Sequence, residues 1–439
     1  MAKILPEPIR RVGGTLFATE GFKPVYLTNT AQLISHVEYF AAINWTKGAR
    51  FTTQERLFEN RRMKAEAFES IELVPHTPSV PGVFYLHPEL PGVTPTSRVD
   101  ELVGFFKPSS EVDRQLMKAA IMTPSWGGAA GKRPAILVTG PDDDGKRMGR
   151  GVGKSTFVDV NAIGLYGETI DITAKDEMKT IVTRILSPGG ATKRILRMDN
   201  IKTHRLSWDD LEKLITSPSI SGHLMYAGES HRKNLLTVFM TLNGANLSKD
   251  LAQRVVVIKL ARPEHHAHWE DDVRRFIKIH RWEILAEIAA ILSREPGPLI
   301  ARTRWAEWES AVLSKLDWVE ECQDVIVERQ GLIDDDDSDR DLVREFIKAQ
   351  LTRQNICPET ESVSIQSVLM AEWIEKVRRE KMATNRASGF VKGLGIPELK
   401  EARKSDFRGF EWRGLQCNWP ATRRLYPENH EPKNPGLPY

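Results

Sequence analysis

Between about residues 100 and 262, short apolar runs rich in β-branched residues alternate with amphipathic stretches of helical period. The runs Ala135–Thr139, Thr169–Ile172, Arg194–Asp199, Leu236–Leu242 and Val255–Leu260 read as strands. Helices are expected to start near Ser155, Lys175 and Ser207. Such alternation predicts an α/β core, a parallel sheet covered on both faces with its ligand at the carboxyl ends of the strands. Residues 265–330 then turn helical, with Phe276, Ile279, Trp282, Leu285, Ile288 and Leu292 at three-and-four spacing.

The flanks differ from this core. Residues 1–100 mix strand-like runs such as Pro24–Leu27 with helical ones (Thr30–Ala42, Thr53–Phe68), and a Pro/Gly-rich stretch runs from Pro75 to Pro95. They predict a small α+β domain for structure or oligomerisation. The core spans 101–262 and a helical extension spans 263–333. The acidic run Asp334–Asp341 is expected to be a solvated linker. Residues 342–426 give short helices and then Phe407–Gly414, read as a β-hairpin turning near Gly409; helices followed by a hairpin suggest a winged helix. The tail, Pro427–Tyr439, is Pro/Asn-rich and reads as disordered.

Composition narrows the classes. With 439 residues, 41% hydrophobic and 28% charged, this is a globular chain of two or three domains. No run approaches the roughly 18 consecutive apolar residues of a membrane span. Met1–Pro8 lacks a signal peptide's apolar core, and Cys322, Cys357 and Cys417 have no zinc or disulfide spacing, so a reducing cytoplasm is the expected location. A net charge of +3 does not by itself argue for nucleic acid. Between Ser364 and Leu415, however, eleven lysines and arginines stand against seven acidic residues.

The candidate chemistry begins at Pro134–Gly140 and Gly151-Val-Gly-Lys154-Ser155-Thr156. A β-branched run ends in glycines and Gly-Lys-Ser, and a helix follows, as in a phosphate-binding loop. Glycines let backbone N–H groups curl around a polyphosphate, Lys154 reaches the β/γ-phosphates, and the Ser155 hydroxyl ligates Mg²⁺. The first glycine of G-x-x-x-x-G-K-[ST] would fall at Met148. Taking Gly140 instead makes part of Asp142–Arg150 a polar insertion. ATP and Mg²⁺ are the expected ligands, lined by Gly140, Gly151, Gly153, Lys154, Ser155 and Thr156.

A nucleotide-hydrolysing fold needs a second carboxylate for the metal, and the strand Arg194–Asp199 ends in one. Asn200 follows where many such ATPases carry a glutamate; an amide bonds water but cannot take its proton. The strand Leu236–Leu242 runs into Asn243, which could position water, and eleven residues on stands Arg254. Singly, each residue also fits a turn, a helix cap or a surface charge. Their order and spacing together do not.

In these motifs, with Phe239–Asn246, Asp250–Arg254 and Phe410–Gly414, the chain resembles the AAA+ ATPases of phage, plasmid and mobile elements, relatives of superfamily 3 and MCM-like helicases, over residues 100 to 415. The resemblance implies an AAA+ P-loop core and an ATP-driven homo-oligomeric ring acting on single-stranded or forked DNA, with a separate primase or replication or defence factor as a possible companion. It implies that Lys154 and Ser155 form the first ATPase motif, Asp199 the second, Asn243 the polar sensor, and Arg254 the finger acting on a neighbouring subunit. It also places a channel hairpin between Asp199 and Asn243. There His231, Arg232 and Lys233 are candidates for DNA phosphates, although a solvated loop accounts for them equally. In the winged-helix module, Arg386 and Lys392 on Thr384–Leu394, with Arg408 and Arg413 on the hairpin, are the DNA candidates. The alternative is a nucleotide switch that does not translocate, such as a loader, transposition regulator or defence component. A small-molecule kinase would need neither the sensor nor the finger.

Overall fold

The computed structural model describes residues 5–43, 52–141, 151–173, 176–199, 208–224, 228–241, 249–262, 268–378, 382–404, 407–414 and 423–427. Contacts divide the chain into two compact units, Met1–Gly244 with Asp250–Gln330, and Ala245–Lys249 with Gly331–Tyr439. Residues 1–100 and 263–330 therefore share a unit with the α/β core.

In the first unit, β1 (Arg10–Val12), β2 (Thr15–Glu20) and β3 (Lys23–Leu27) form an antiparallel meander, extended by β4 (Ala67–Phe68) parallel to β1. Two helices, α1 (Thr30–Phe40) and α2 (Gln54–Lys64), start at Asn29 and Thr53, whose side chains accept from the N–H groups of Gln32 and Arg56. A parallel pair, β5 (Ser70–Glu72) and β6 (Val83–Tyr85), leads through α3 (Arg98–Gly104) and α4 (Glu111–Met122) to the main sheet.

That sheet and its neighbours are built from β7 (Ala135–Thr139), α5 (Lys154–Asp159), β8 (Ile170–Asp171), α6 (Met178–Leu186), β9 (Ile195–Asp199) and α7 (Trp208–Thr216). The hairpin β10 (Ser219–Leu224) and β11 (Gly228–Lys233) follows, then β12 (Thr237–Thr241), α8 (Lys249–Ala252) and β13 (Val255–Lys259). Five strands pair in parallel in the order β13-β7-β12-β9-β8. β7, β12 and β13 are buried almost end to end, as strands covered on both faces must be, which explains their unbroken apolar runs. The expected parallel sheet is present, each strand within two residues of its sequence-based bounds.

Helices α9 (Trp269–Leu292) and α10 (Ala306–Ala311) and the start of α11 (Val319–Arg353) complete this unit. α9 buries Val273, Ile277, Ile284, Ile288 and Ile291. Ile279, expected on that stripe, is 64% exposed, since two residues beyond Ile277 lie about 200° around the helix. Arg329 of α11 donates to both carboxylate oxygens of the buried Asp113 on α4, at 2.6 and 3.0 Å. Asp113 also accepts from the N–H of Lys259 at 2.8 Å, tying both helices to β13.

The acidic run 334–341, expected as a solvated linker, is helical and lies inside α11, whose residues belong to both units. Buried residues at four-residue spacing hold this helix on either side, Cys322 and Ile326 in the first unit and Val343, Ile347 and Leu351 in the second. The second unit continues with β14 (Ser362–Gln366), α12 (Ser367–Arg378), α13 (Thr384–Gly393), β15 (Leu399–Lys404), β16 (Phe407–Arg413) and β17 (Arg423–Leu425), in sheet order β15-β16-β14-β17. Ile365, Trp373, Ile374 and Trp412 centre its core. Gly409 is not the turn of the hairpin. It lies within β16, where a Cβ would stand 2.1 Å from the Ile365 carbonyl oxygen, and the chain reverses between the paired Lys404 and Phe407. Among the described residues no helix is long and apolar enough to cross a membrane.

Candidate functional site

The carboxyl ends of β7, β12 and β9 lie side by side, and the candidate chemistry collects there. Beyond Gly140, residues 142–150 lie outside the described residues, so the expected insertion is not placed. Gly151 and Gly153 take φ of 75° and 86°, left-handed values that favour glycine. At Gly153 space adds to the requirement, because a Cβ would stand 2.9 Å from the Trp269 ring. Gly153 caps α5, so the unbonded N–H groups of the first turn face the loop. The helical path continues from α5 as a π-helix over Val160–Tyr166.

Lys154 is 9% exposed, and burial pushes its ammonium below the ordinary lysine range while the charge of Asp199 pulls it back up. The Ser155 hydroxyl donates to Asp199 Oδ1 at 2.8 Å, and the Thr241 hydroxyl bonds the same oxygen. This pair follows from register, since Thr241 on β12 stands opposite Asp199 on β9. The structure thus brings together Lys154, Ser155 and Asp199, which are 45 residues apart at most. A positive-φ loop at a helix start, one desolvated ammonium, and a hydroxyl beside a carboxylate form a donor set that fits a Mg²⁺-bound polyphosphate. Asn200 and Asn243 lie outside the described residues.

One residue past Ser155, Thr156 opens onto a cavity of about 580 Å³ between the helix 154–166 and α9. Asp159, Ile277, Lys278, Arg281 and Trp282 also line it. Arg197 of β9 bridges Asp159 and Asp171, with 2.8 Å to the latter. Arg281 donates to the Leu165 carbonyl at 2.8 Å and lies over the Trp282 ring, 4.9 Å from its centroid.

Arg254 lies just before β13, at the amino edge of the parallel sheet, opposite the end that carries Lys154, Ser155 and Asp199. Its Nη1 lies 3.3 Å from Glu212 Oε2 on α7 and donates to the Asp250 carbonyl. The arginine expected to reach a neighbour is thus engaged within its own chain.

The basic cluster of the hairpin departs from expectation. Arg232 is 3% exposed and donates to the carbonyls of Gly190 at 2.8 Å and Lys193 at 3.2 Å. Its position is structural: it joins a buried group with Arg194, Glu72, Arg133 and His76. Arg194 donates to Glu72 through Nε and Nη2 at 2.9 and 2.7 Å. Burial, then the charges of Arg194, Arg133 and Arg232, hold the His76 imidazole well below the usual histidine range. Lys233 is also engaged, 3.2 Å from Glu69 and donating to the Pro81 carbonyl, whereas His231 is exposed. Arg232→Ala is therefore expected to lower stability rather than selectively weaken DNA contact. The Gly190 carbonyl keeps the Lys193 N–H at 3.0 Å, so the loss falls mainly on the Lys193 carbonyl, at roughly 1–3 kcal/mol and relieved in part by less repulsion on Arg194; a drop in thermal midpoint of a few degrees is expected. Differential scanning calorimetry measures it.

In the second unit, Arg386 and Arg408 are exposed on α13 and β16. Lys392 pairs with Glu401 at 2.9 Å and Arg413 with Glu411 at 3.0 Å, so two of the four candidates are partly neutralised. Sequence reasoning missed Thr241, Glu212, Glu72 and Arg194. Thr241 could have been found as the last inward residue before Asn243; Glu72 carries no local signal.

No protein-family model matches the chain, and no curated protein matches it in sequence. Among solved structures, the apo NrS-1 C-terminal region (305–718) aligns over 92% of this chain and 95% of that chain, at 12% identity and a TM-score of 0.43. An A-form apo structure of the same region covers 91% of this chain and 93% of that chain, at 12% identity and 0.42. A structure of JCV helicase with a bound thiazolopyridine acetamide aligns over 54% of this chain and 61% of that chain, at 11% identity and 0.29. At these scores the likeness carries nothing about activity, which has to be read from the chain's own residues.

Proposed function

We propose that the chain is the subunit of an ATP-hydrolysing AAA+ ring that moves on or remodels DNA, most simply a replicative helicase of a phage or mobile element. The observation that carries the reading is the convergence of Lys154, Ser155 and Asp199 at the carboxyl end of the parallel sheet. In this reading the Gly151–Lys154 N–H groups and the Lys154 ammonium hold the triphosphate, and Ser155 and Asp199 hold Mg²⁺, which neutralises charge on the transferred phosphoryl group. Thr241 fixes the rotamer of Asp199. Asn243 would orient water, and Asn200 leaves proton removal to another group. Thr156 and the groove beside α9 would take the sugar and base, the apolar Ile277 and Trp282 suiting a flat ring and Lys278 the adjoining phosphate.

The order helix, strand, two helices, β-hairpin in the second unit supports a winged helix, with the exposed Arg386 and Arg408 among the candidates for phosphate contact. In the hairpin β10–β11, His231 keeps that role; Arg232 does not. One observation favours the alternative of a non-translocating nucleotide switch, namely the engagement of Arg254 with Glu212 in its own chain. Turnover measured with and without single-stranded DNA, alongside strand displacement on a fork, tests the motor. The motor predicts DNA-stimulated ATPase with displacement. ATP binding without either outcome supports the switch.

A further inference from the structure

A second cavity of the first unit, of about 420 Å³, has no part in the nucleotide reading. Phe22, in the turn ahead of β3, lines it together with Pro24 and Tyr26, which stand two apart on one face of that strand. Pro88 and Trp282 form further walls, and Thr192 and Arg281 place a hydroxyl and a guanidinium among them. Phe22 is 56% exposed, so a large apolar ring stands open to a partner. The Tyr26 ring is fixed, its hydroxyl donating to the Pro188 carbonyl at 2.7 Å. Aromatic and proline walls with a few polar groups suit a polyproline II segment. Its apolar edge fits between rings, and its carbonyls, unbonded within that helix, take donors from the site.

The chain carries such a segment in Pro432-Lys-Asn-Pro435-Gly-Leu-Pro438. With three residues per turn, prolines at this spacing share one edge of a polyproline II helix. Residues 428–439 lie outside the described residues, so the run is read from sequence alone. Phe22 and Tyr26 are four residues apart, about 13 Å of extended chain. In a polyproline II helix, successive prolines of the run stand about 9 Å apart and the outer two about 19 Å. Two prolines fit the cavity at once and three do not. Glu168, which also lines it, pairs with Lys193 and its side chain is 84% exposed, so a contact from Lys433 adds little and the rings carry the affinity.

We propose that this cavity is the docking site for the proline run 432–438 of a second copy of the chain. Pro432 with Pro435, or Pro435 with Pro438, seats against Phe22, Pro24 and Tyr26. Pro435 belongs to both registers and matters most. The contact joins copies independently of nucleotide chemistry, and its test needs no ATP.

The test is fluorescence anisotropy of a labelled peptide of residues 427–439. It is titrated with the full chain carrying Pro432→Ala, Pro435→Ala and Pro438→Ala, whose own run no longer competes. Saturable binding is expected. Phe22→Ala in that background should weaken it about tenfold, the worth of one ring central to a contact. Phe22 sits in an exposed turn, and circular dichroism verifies that the variant folds. Changes in the peptide avoid the question of folding altogether. There Pro435→Ala should weaken binding about tenfold, and Pro432→Ala or Pro438→Ala about twofold, because one of two registers survives. Absence of saturable binding overturns the proposal, as does equal binding by the Phe22→Ala chain or by a scrambled peptide. Sedimentation of the full chain tests the second copy as the source of the run. Self-association should be weaker in Pro435→Ala than in wild type, and equal self-association overturns that assignment.

Discussion

Lys154→Ala is expected to abolish ATP turnover and to weaken ATP binding by about tenfold to a hundredfold, the worth of one charge-assisted contact to phosphate. The size of the effect follows from the setting. Lys154 is 9% exposed at the start of α5, where burial disfavours its charge and the charge of Asp199 favours it. A polyphosphate adds negative charge beside this ammonium. Asp199 meanwhile keeps its bonds from Ser155 and Thr241. The thermal midpoint should stay at or above the wild-type value, since a desolvated cation has been removed. Isothermal titration with a non-hydrolysable ATP analogue, with calorimetric melting alongside, separates loss of binding from loss of fold. Wild-type turnover in this variant would remove the phosphate-loop assignment.

Arg254→Ala is expected to behave differently, with ATP bound nearly as in wild type and turnover lowered by about 10³–10⁵, the typical worth of an arginine supplied across an interface. Within its own chain the side chain loses one pair to Glu212 and one bond to the Asp250 carbonyl, both local to α7 and α8. A parallel loss of ATP affinity would count against a role confined to the transferred phosphoryl group, since Arg254 lies at the amino edge of the sheet and its own chain's phosphate loop at the carboxyl edge.

The main sheet was legible because its strands carry β-branched runs that make sense only when buried on both faces, and β7, β12 and β13 are buried in this way. The grouping of Lys154, Ser155 and Asp199 was legible because Gly-Lys-Ser at a helix start and a carboxylate at a strand end are recognisable by residue type and spacing. Less legible was anything set by tertiary contact. Arg232 and Lys233 resemble a solvated basic patch in sequence, yet Glu72, 160 residues away, faces the buried Arg232, and Glu69 pairs with Lys233 at the surface. The run 334–341 has a linker's composition, but the buried residues that keep it helical stand outside it, in Cys322, Ile326, Val343 and Ile347. Gly409 signals a turn by residue type, whereas its use is to let the Ile365 backbone approach. Local propensity cannot register such contacts.

With Arg254 acting across an interface as proposed, a complete ATPase site is shared between two copies of this chain. Its most direct test is turnover in mixtures of Lys154→Ala with Arg254→Ala, with co-assembly verified by imaging in the presence of a non-hydrolysable ATP analogue. Each variant alone should be nearly inactive. Where a Lys154→Ala subunit offers its intact Arg254 to the intact phosphate loop of an Arg254→Ala subunit, the site is whole, so the mixture should recover turnover well above either component. Co-assembled mixtures that remain as inactive as their parts would contradict the account.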